Sequence, residues 1–147
     1  MKEYKLNFEL VPDGCWADNL RTHLPKGVWD ILRRKVYAKS GGKCEICGAS
    51  VRYLDAHEKW SYDETSRIQK LEKVMAVCRP CHEVIHINRT FLKGDEVKAS
   101  EHFMKVNGCN YAEYRRAMGE ANERHKRLNE VGEWLLDVSW IDGFLND

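Results

Sequence analysis

With 147 residues, 43% of them hydrophobic and 32% charged, the chain has the composition of one ordinary globular domain, which excludes a collagen-like, fibrous or wholly disordered protein. No segment approaches the roughly 20 consecutive apolar residues that span a bilayer, and the N-terminal MKEYKLNFELVPDGC lacks an apolar stretch of signal-peptide length, so a cytoplasmic protein is expected. The net charge of +1 conceals a polarity: residues 21–52 hold eight Lys and Arg against Asp30 and Glu45, whereas residues 130–147 hold five acids and no Lys or Arg. A basic stretch of that kind suits a polyanion such as a nucleic acid.

In chain order, the alternation of YKLNFEL, residues 4–10, predicts a strand, followed by a loop over 11–19. Pro25 opens a predicted helix in which Val28, Ile31, Leu32 and Val36 recur at helical spacing. Arg33, Arg34, Lys35 and Lys39 lie away from that stripe and are the expected phosphate contacts. Ser40-Gly41-Gly42 ends the helix. Cys-Glu-Ile-Cys-Gly, from Cys44, predicts a knuckle turn whose amides point at thiolates. Residues 51–60 then read as a strand, 62–65 as a turn and 67–77 as a returning strand, and CHEVIHINRTFL, from Cys81, as one helix. Residues 99–106 and 111–128 are predicted helices. In the short acidic end, Trp134, Leu135, Leu136, Trp140 and Phe144 are expected in the core, or else at a protein partner or a second copy. The class that results is α+β, a single domain with a central unit over 43–92 between a strand-and-basic-helix segment (1–42) and a helical extension (93–147).

Six cysteines in a chain expected to meet a reducing compartment point to metal ligation rather than to disulfides. Cys44, Cys47, Cys78 and Cys81 form Cys-x-x-Cys, thirty residues, Cys-x-x-Cys. Four thiolates satisfy a tetrahedral zinc outright and leave no open position, so this zinc is expected to be structural. The separation leaves room for a hairpin between a knuckle and a helix, the treble-clef arrangement. Cys15 and Cys109 stand alone and are expected to be small buried hydrophobes.

His82 and His86 are four residues apart on the predicted helix and share a face, so they can grip a second cation together. On the preceding strand, Asp55 and His57 point to one face while Leu54, Ala56 and Trp60 point to the other. Packing of that strand on the helix would bring four such side chains together.

The order CEIC, LDAHEKW, CRPCHEVIH resembles the zinc-containing form of the HNH endonuclease family over residues 43–92, a third of the chain. The resemblance implies a ββα-metal motif on a treble clef, a structural zinc, and hydrolysis of DNA phosphodiester bonds with one divalent cation (Mg²⁺, Mn²⁺, Ni²⁺ or Zn²⁺), in a bacterial or phage-infected cell. It makes His57 the general base and places the cation on His82 and His86. The chain departs from the family pattern twice: Ala56 stands where a metal-binding Asp or His usually precedes the base, and no asparagine lies between His57 and Cys78. Three substitutes are open: Asp55 as ligand, His57 as ligand with Glu58 as base, or Tyr62 and Asp63 in the orienting role of the asparagine. The competing function is a zinc-stabilised DNA-binding or protein-interaction module without catalysis.

Overall fold

The computed structural model describes residues 3–15 and 19–146. Of the loop expected over 11–19, residues 16–18 lie outside the described residues. The described elements, after a 3-10 turn at Asp13–Cys15, are α1 (Leu20–His23), α2 (Lys26–Ser40), β1 (Asp55–Asp63), β2 (Ile68–Val77), α3 (Arg79–Ile85), α4 (Ile87–Leu92), α5 (Glu96–Asn107), α6 (Tyr111–Val131), β3 (Leu135–Asp137) and α7 (Trp140–Leu145). The protein is mixed α and β, as expected. Among these elements no helix is long and apolar enough to cross a membrane.

The three strands form one sheet in the order β1-β2-β3, with β1 antiparallel to β2 and β3 parallel to it. Register runs from Asp55 opposite Val77 to Lys59 opposite Lys73, then shifts so that Trp60 faces Leu71. Glu72 is the extra residue of this bulge, and it reverses the alternation of β2. Leu71 thereby joins Val74 and Ala76 on one face of the sheet, while Met75 and Val77 occupy the other.

Each face carries its own core. One is built from Leu20, Trp29, Leu32, Val36 and Ile141 against Leu71, Val74 and Ala76. The other gathers Leu6, Phe8, Leu10, Val84, Ile85, Phe103 and Tyr114 against Met75 and Val77. In α2 the expected stripe is rotated: Trp29 is buried with Leu32 and Val36, while Ile31 is 62% exposed. The end of α2 is as expected, with Gly41 in the left-handed region at φ 65°.

Three expectations are corrected. Residues 4–10 form no strand, although Leu6, Phe8 and Leu10 alternate into the core as a strand would place them. Their backbone bonds go elsewhere: Asn107 accepts from the Leu6 N–H at 3.0 Å and donates to the Leu6 carbonyl at 2.8 Å, and the Glu9 N–H donates to the Ile85 carbonyl. A side chain thus stands in for a neighbouring strand. Leu6 is fully buried, so Leu6→Ala is expected to cost about 2–5 kcal/mol, read by chemical denaturation.

Second, the helix expected over 81–92 is two helices, broken at His86, whose φ of −98° and ψ of 54° are not helical. Carbonyls near the break find other donors: the Glu9 N–H on Ile85, and the Thr90 hydroxyl on Glu83 at 2.6 Å. Third, Leu135 and Leu136 are exposed rather than core. Trp140 and Phe144 stack with centroids 4.5 Å apart beside the first cluster, and Ile141 is the buried residue of that end.

Candidate metal centres and the cleft they open on

The knuckle at Cys44 closes through the Gly48 N–H to the Cys44 carbonyl and the Cys44 N–H to the Ala49 carbonyl, both at 2.9 Å. Gly48 takes φ 80°, which a side chain would strain. The Ile46 and Cys47 amides point at the Cys44 sulfur, at 3.4 and 3.5 Å. β2 then delivers Cys78 to the start of α3, whose first turn carries Cys81.

The four sulfurs lie within 4.8 Å of one another. Cys47 Sγ and Cys78 Sγ are 3.7 Å apart, close to the edge of about 3.8 Å expected for a tetrahedron of thiolates around zinc at about 2.3 Å. Burial pushes the Cys81 thiol up, and the neighbouring Cys78 and Cys44 push it further. Burial likewise holds Cys78 up at about 11, whereas at Cys44 burial is outweighed by amide hydrogen bonds and the thiol falls to about 7. Crowded thiols that resist joint ionisation are what a divalent cation relieves, so these residues fit a metal ion such as zinc. His102 was not foreseen here: its Nε2 lies 3.2 Å from Cys81 Sγ, reaching in from α5.

Cys15 is buried, as expected of an isolated thiol, while Cys109 is only half-buried beside the core of the N-terminal segment.

The second centre is a cluster of His57 from β1 with His82 from α3 and His86 from the break that follows it, their ligand nitrogens all within 4.8 Å. Ring centroids are 5.5 Å from His57 to each of the others and 4.7 Å between His82 and His86. The break at His86 leaves its ring on the side of α3 that faces β1.

Two carboxylates stand behind this cluster. Asp55 Oδ2 lies 3.0 Å from His82 Nδ1 and 2.9 Å from Arg79 Nε, so this candidate cation ligand anchors one imidazole and engages its Nδ1, not its Nε2. His57 Nε2 is 2.9 Å from Glu9 Oε1, and the ring is 2% exposed. Glu9 was not among the expected site residues. Its segment reads only as an alternating strand, and nothing local announces where its carboxylate will go.

The other expected helpers lie apart. Glu58 points to the opposite face of β1, where its Oε1 accepts the Leu20 N–H at 3.0 Å, and burial raises its carboxyl above the usual range. Asp63 caps its own turn through Thr65 and Ser66. Tyr62 packs edge-on against Trp134 at 5.3 Å, and burial raises its phenol.

Burial is the main cause holding the His86 imidazole down, to about 3, with His82, His57 and Arg89 adding to it. Burial also lowers His82, aided by His57 and opposed by Asp55. Both rings are therefore neutral, hence ligand-ready, at pH 7. Unfolded, each returns to about 6.5, so below that value the unfolded chain binds more protons and stability falls with pH towards about 3. Without added divalent cations, denaturant titrations from pH 7 to pH 5 should show wild type losing stability more steeply than His86→Gln, by up to about 1.4 kcal/mol per pH unit. Parallel slopes would refute a buried neutral His86.

Both faces of β1 line one cleft of about 1440 Å³, which holds His57, His82 and His86 and wraps the free edge of the strand. Of the four expected phosphate contacts only Arg33 lines it, bonded to Asp30 at 3.0 Å. Arg34 is exposed outside the lining. Lys35 and Lys39 sit over the Phe144 ring, and Lys35 also donates to the Phe144 carbonyl. The cations that do reach the cleft include Arg21, Lys26, Arg89, Lys93 and Arg124.

Comparison with protein-family models, curated proteins and solved structures finds no match for this chain.

Proposed function

We propose that the chain is a metal-dependent endonuclease of the HNH type, a ββα-metal motif on a zinc-held treble clef that hydrolyses DNA phosphodiester bonds. The observation that carries this reading is the convergence of His57, His82 and His86 beside the four-cysteine cluster, at the wall of a cleft lined with cations. In this reading the knuckle at Cys44, the β1-β2 hairpin and α3 are the three parts of the treble clef, with zinc on the four thiolates.

His82, through Nε2, and His86 would hold the second cation. A divalent cation there would stabilise charge on the scissile phosphate and on the leaving oxygen. The set is imidazole-rich, which favours Ni²⁺ or Zn²⁺ over Mg²⁺. His57 takes the proton of the attacking water on Nδ1, because Nε2 is engaged by Glu9. Glu9 does the orienting work that the family assigns to the asparagine missing here, and Asp55 with Arg79 does the same for His82. Arg89, on the helix that follows the histidines, and Lys93, at its end, line the cleft where they could meet flanking phosphates.

The test is conversion of supercoiled plasmid to nicked or linear DNA with Mg²⁺, Mn²⁺ or Ni²⁺, by wild type beside His57→Ala. Wild type is expected to cut and the variant to be nearly inert. Equal cutting by both would identify a contaminant and defeat the proposal.

A further inference from the structure

The cleft is lined by more than a phosphate-hydrolysing centre requires. Trp29, Tyr37, Trp60 and Tyr62 also face it, between α1 and α2 on one side and α4 and α6 on the other. Trp60 and Tyr37 are half-buried and packed against the core of Leu32, Val36 and Leu71, so their orientations are set before any ligand arrives. Arg124 sits over the Tyr62 ring, 5.7 Å from its centroid. Among the described residues, Lys26, Arg89 and Lys93 form no ion pair, whereas Arg33 and Arg79 are taken by Asp30 and Asp55. Cations without an ion-pair partner therefore share the cleft lining with aromatic rings. The volume of about 1440 Å³ exceeds the roughly 300–1,000 Å³ of small-molecule pockets.

From this arrangement we infer that the cleft takes single-stranded nucleic acid, its bases stacking on Trp60 and its neighbouring rings while Lys26, Arg89 and Lys93 follow the backbone. Rings in a cleft lining stack only on bases that are unpaired and splayed, since the bases of a duplex are already stacked on one another with only their edges in the grooves. Every base has a face to stack, so selection is for strandedness rather than sequence. The inference extends the endonuclease reading by naming the substrate class of that same site, and binding without cleavage separates the two.

The experiment uses the full chain with its zinc and no other divalent cation, a short oligothymidine, and a mixed-sequence duplex of equal length. Fluorescence anisotropy gives affinity, and quenching of intrinsic tryptophan emission reports stacking. Oligothymidine is expected to bind about ten-fold or more tighter than duplex and to quench emission. Trp60→Ala should lower its affinity roughly ten-fold, and Trp60→Phe should keep most of the affinity with less quenching. Should Trp60→Ala melt early, Tyr37→Ser and Trp60→Phe carry the same comparison. The logarithm of affinity should fall with that of salt, and Lys26→Gln should reduce the slope by about 0.7. Equal affinity for both nucleic acids, or a Trp60→Ala that weakens both alike, overturns the inference. Adding Mn²⁺ then separates the two claims. A single strand bound with quenching but never cut leaves this inference standing and removes the nuclease, whereas a duplex cut without single-strand preference does the reverse.

Discussion

Cys78→Ser is expected to abolish cooperative folding of the central unit and to release zinc, with loss of the sharp thermal transition and of protein-bound metal by elemental analysis. Cys78 is buried, closes the sulfur cluster 3.7 Å from Cys47, and stands where β2 hands the chain to α3. Removing it leaves three thiolates for an ion that takes four. Structural zinc supplies about 10–16 kcal/mol in small metal-folded peptides, comparable with or larger than the whole stability of a domain this size. Cys109→Ser, whose thiol lies outside the cluster, should by contrast change zinc content little. A folded, cooperatively melting, zinc-free Cys78→Ser protein would contradict the assignment.

His57→Ala should lower strand cleavage by roughly 10²–10⁴-fold, the usual contribution of a general base, measured at a temperature where both proteins are folded. Glu9 is 29% exposed and can turn to solvent, but the ring itself is 2% exposed, so its removal leaves a cavity and should also lower the melting temperature. The variant also decides between base and ligand. Calorimetric titration with Mn²⁺ should give nearly unchanged affinity for His57→Ala and a large loss for His82→Ala or His86→Ala. A loss of affinity in His57→Ala equal to theirs would make His57 a ligand and move the base elsewhere. Glu9→Gln keeps a hydrogen-bonding partner but not its charge, so it should retain more activity than His57→Ala.

Ligand spacing, helical phase and strand alternation are local properties, and what depends on them could be read from the chain itself. The four cysteines, the pairing of His82 with His86, the Asp55/His57 face and the end of α2 at Gly41 are of this kind. What escaped reading depends on long-range partners. The alternation of Leu6, Phe8 and Leu10 is real, but whether a ladder forms was decided by Asn107, 101 residues on from Leu6. The interruption at His86 has no proline or glycine to announce it, and depends on the Glu9 N–H and the Thr90 hydroxyl donating to the freed carbonyls. Glu9 and His102 escaped for the same reason. The basic run on α2 was visible, but which of its cations meet the cleft was settled by where Phe144 docks.

The bond from Glu9 to His57 bears on what the smallest working piece of this protein is. Residues 43–92 contain all four thiolates and all three clustered imidazoles, and cut out alone they would look like a self-sufficient metal module. Under the reading proposed above, such an excised fragment would keep every metal ligand and still lack the carboxylate that faces His57 and the amide that caps Ile85 at the end of α3. The boundary of the functional unit therefore runs through the N-terminal segment, and an attempt to graft this centre onto another scaffold must carry residues 6–10 along with it.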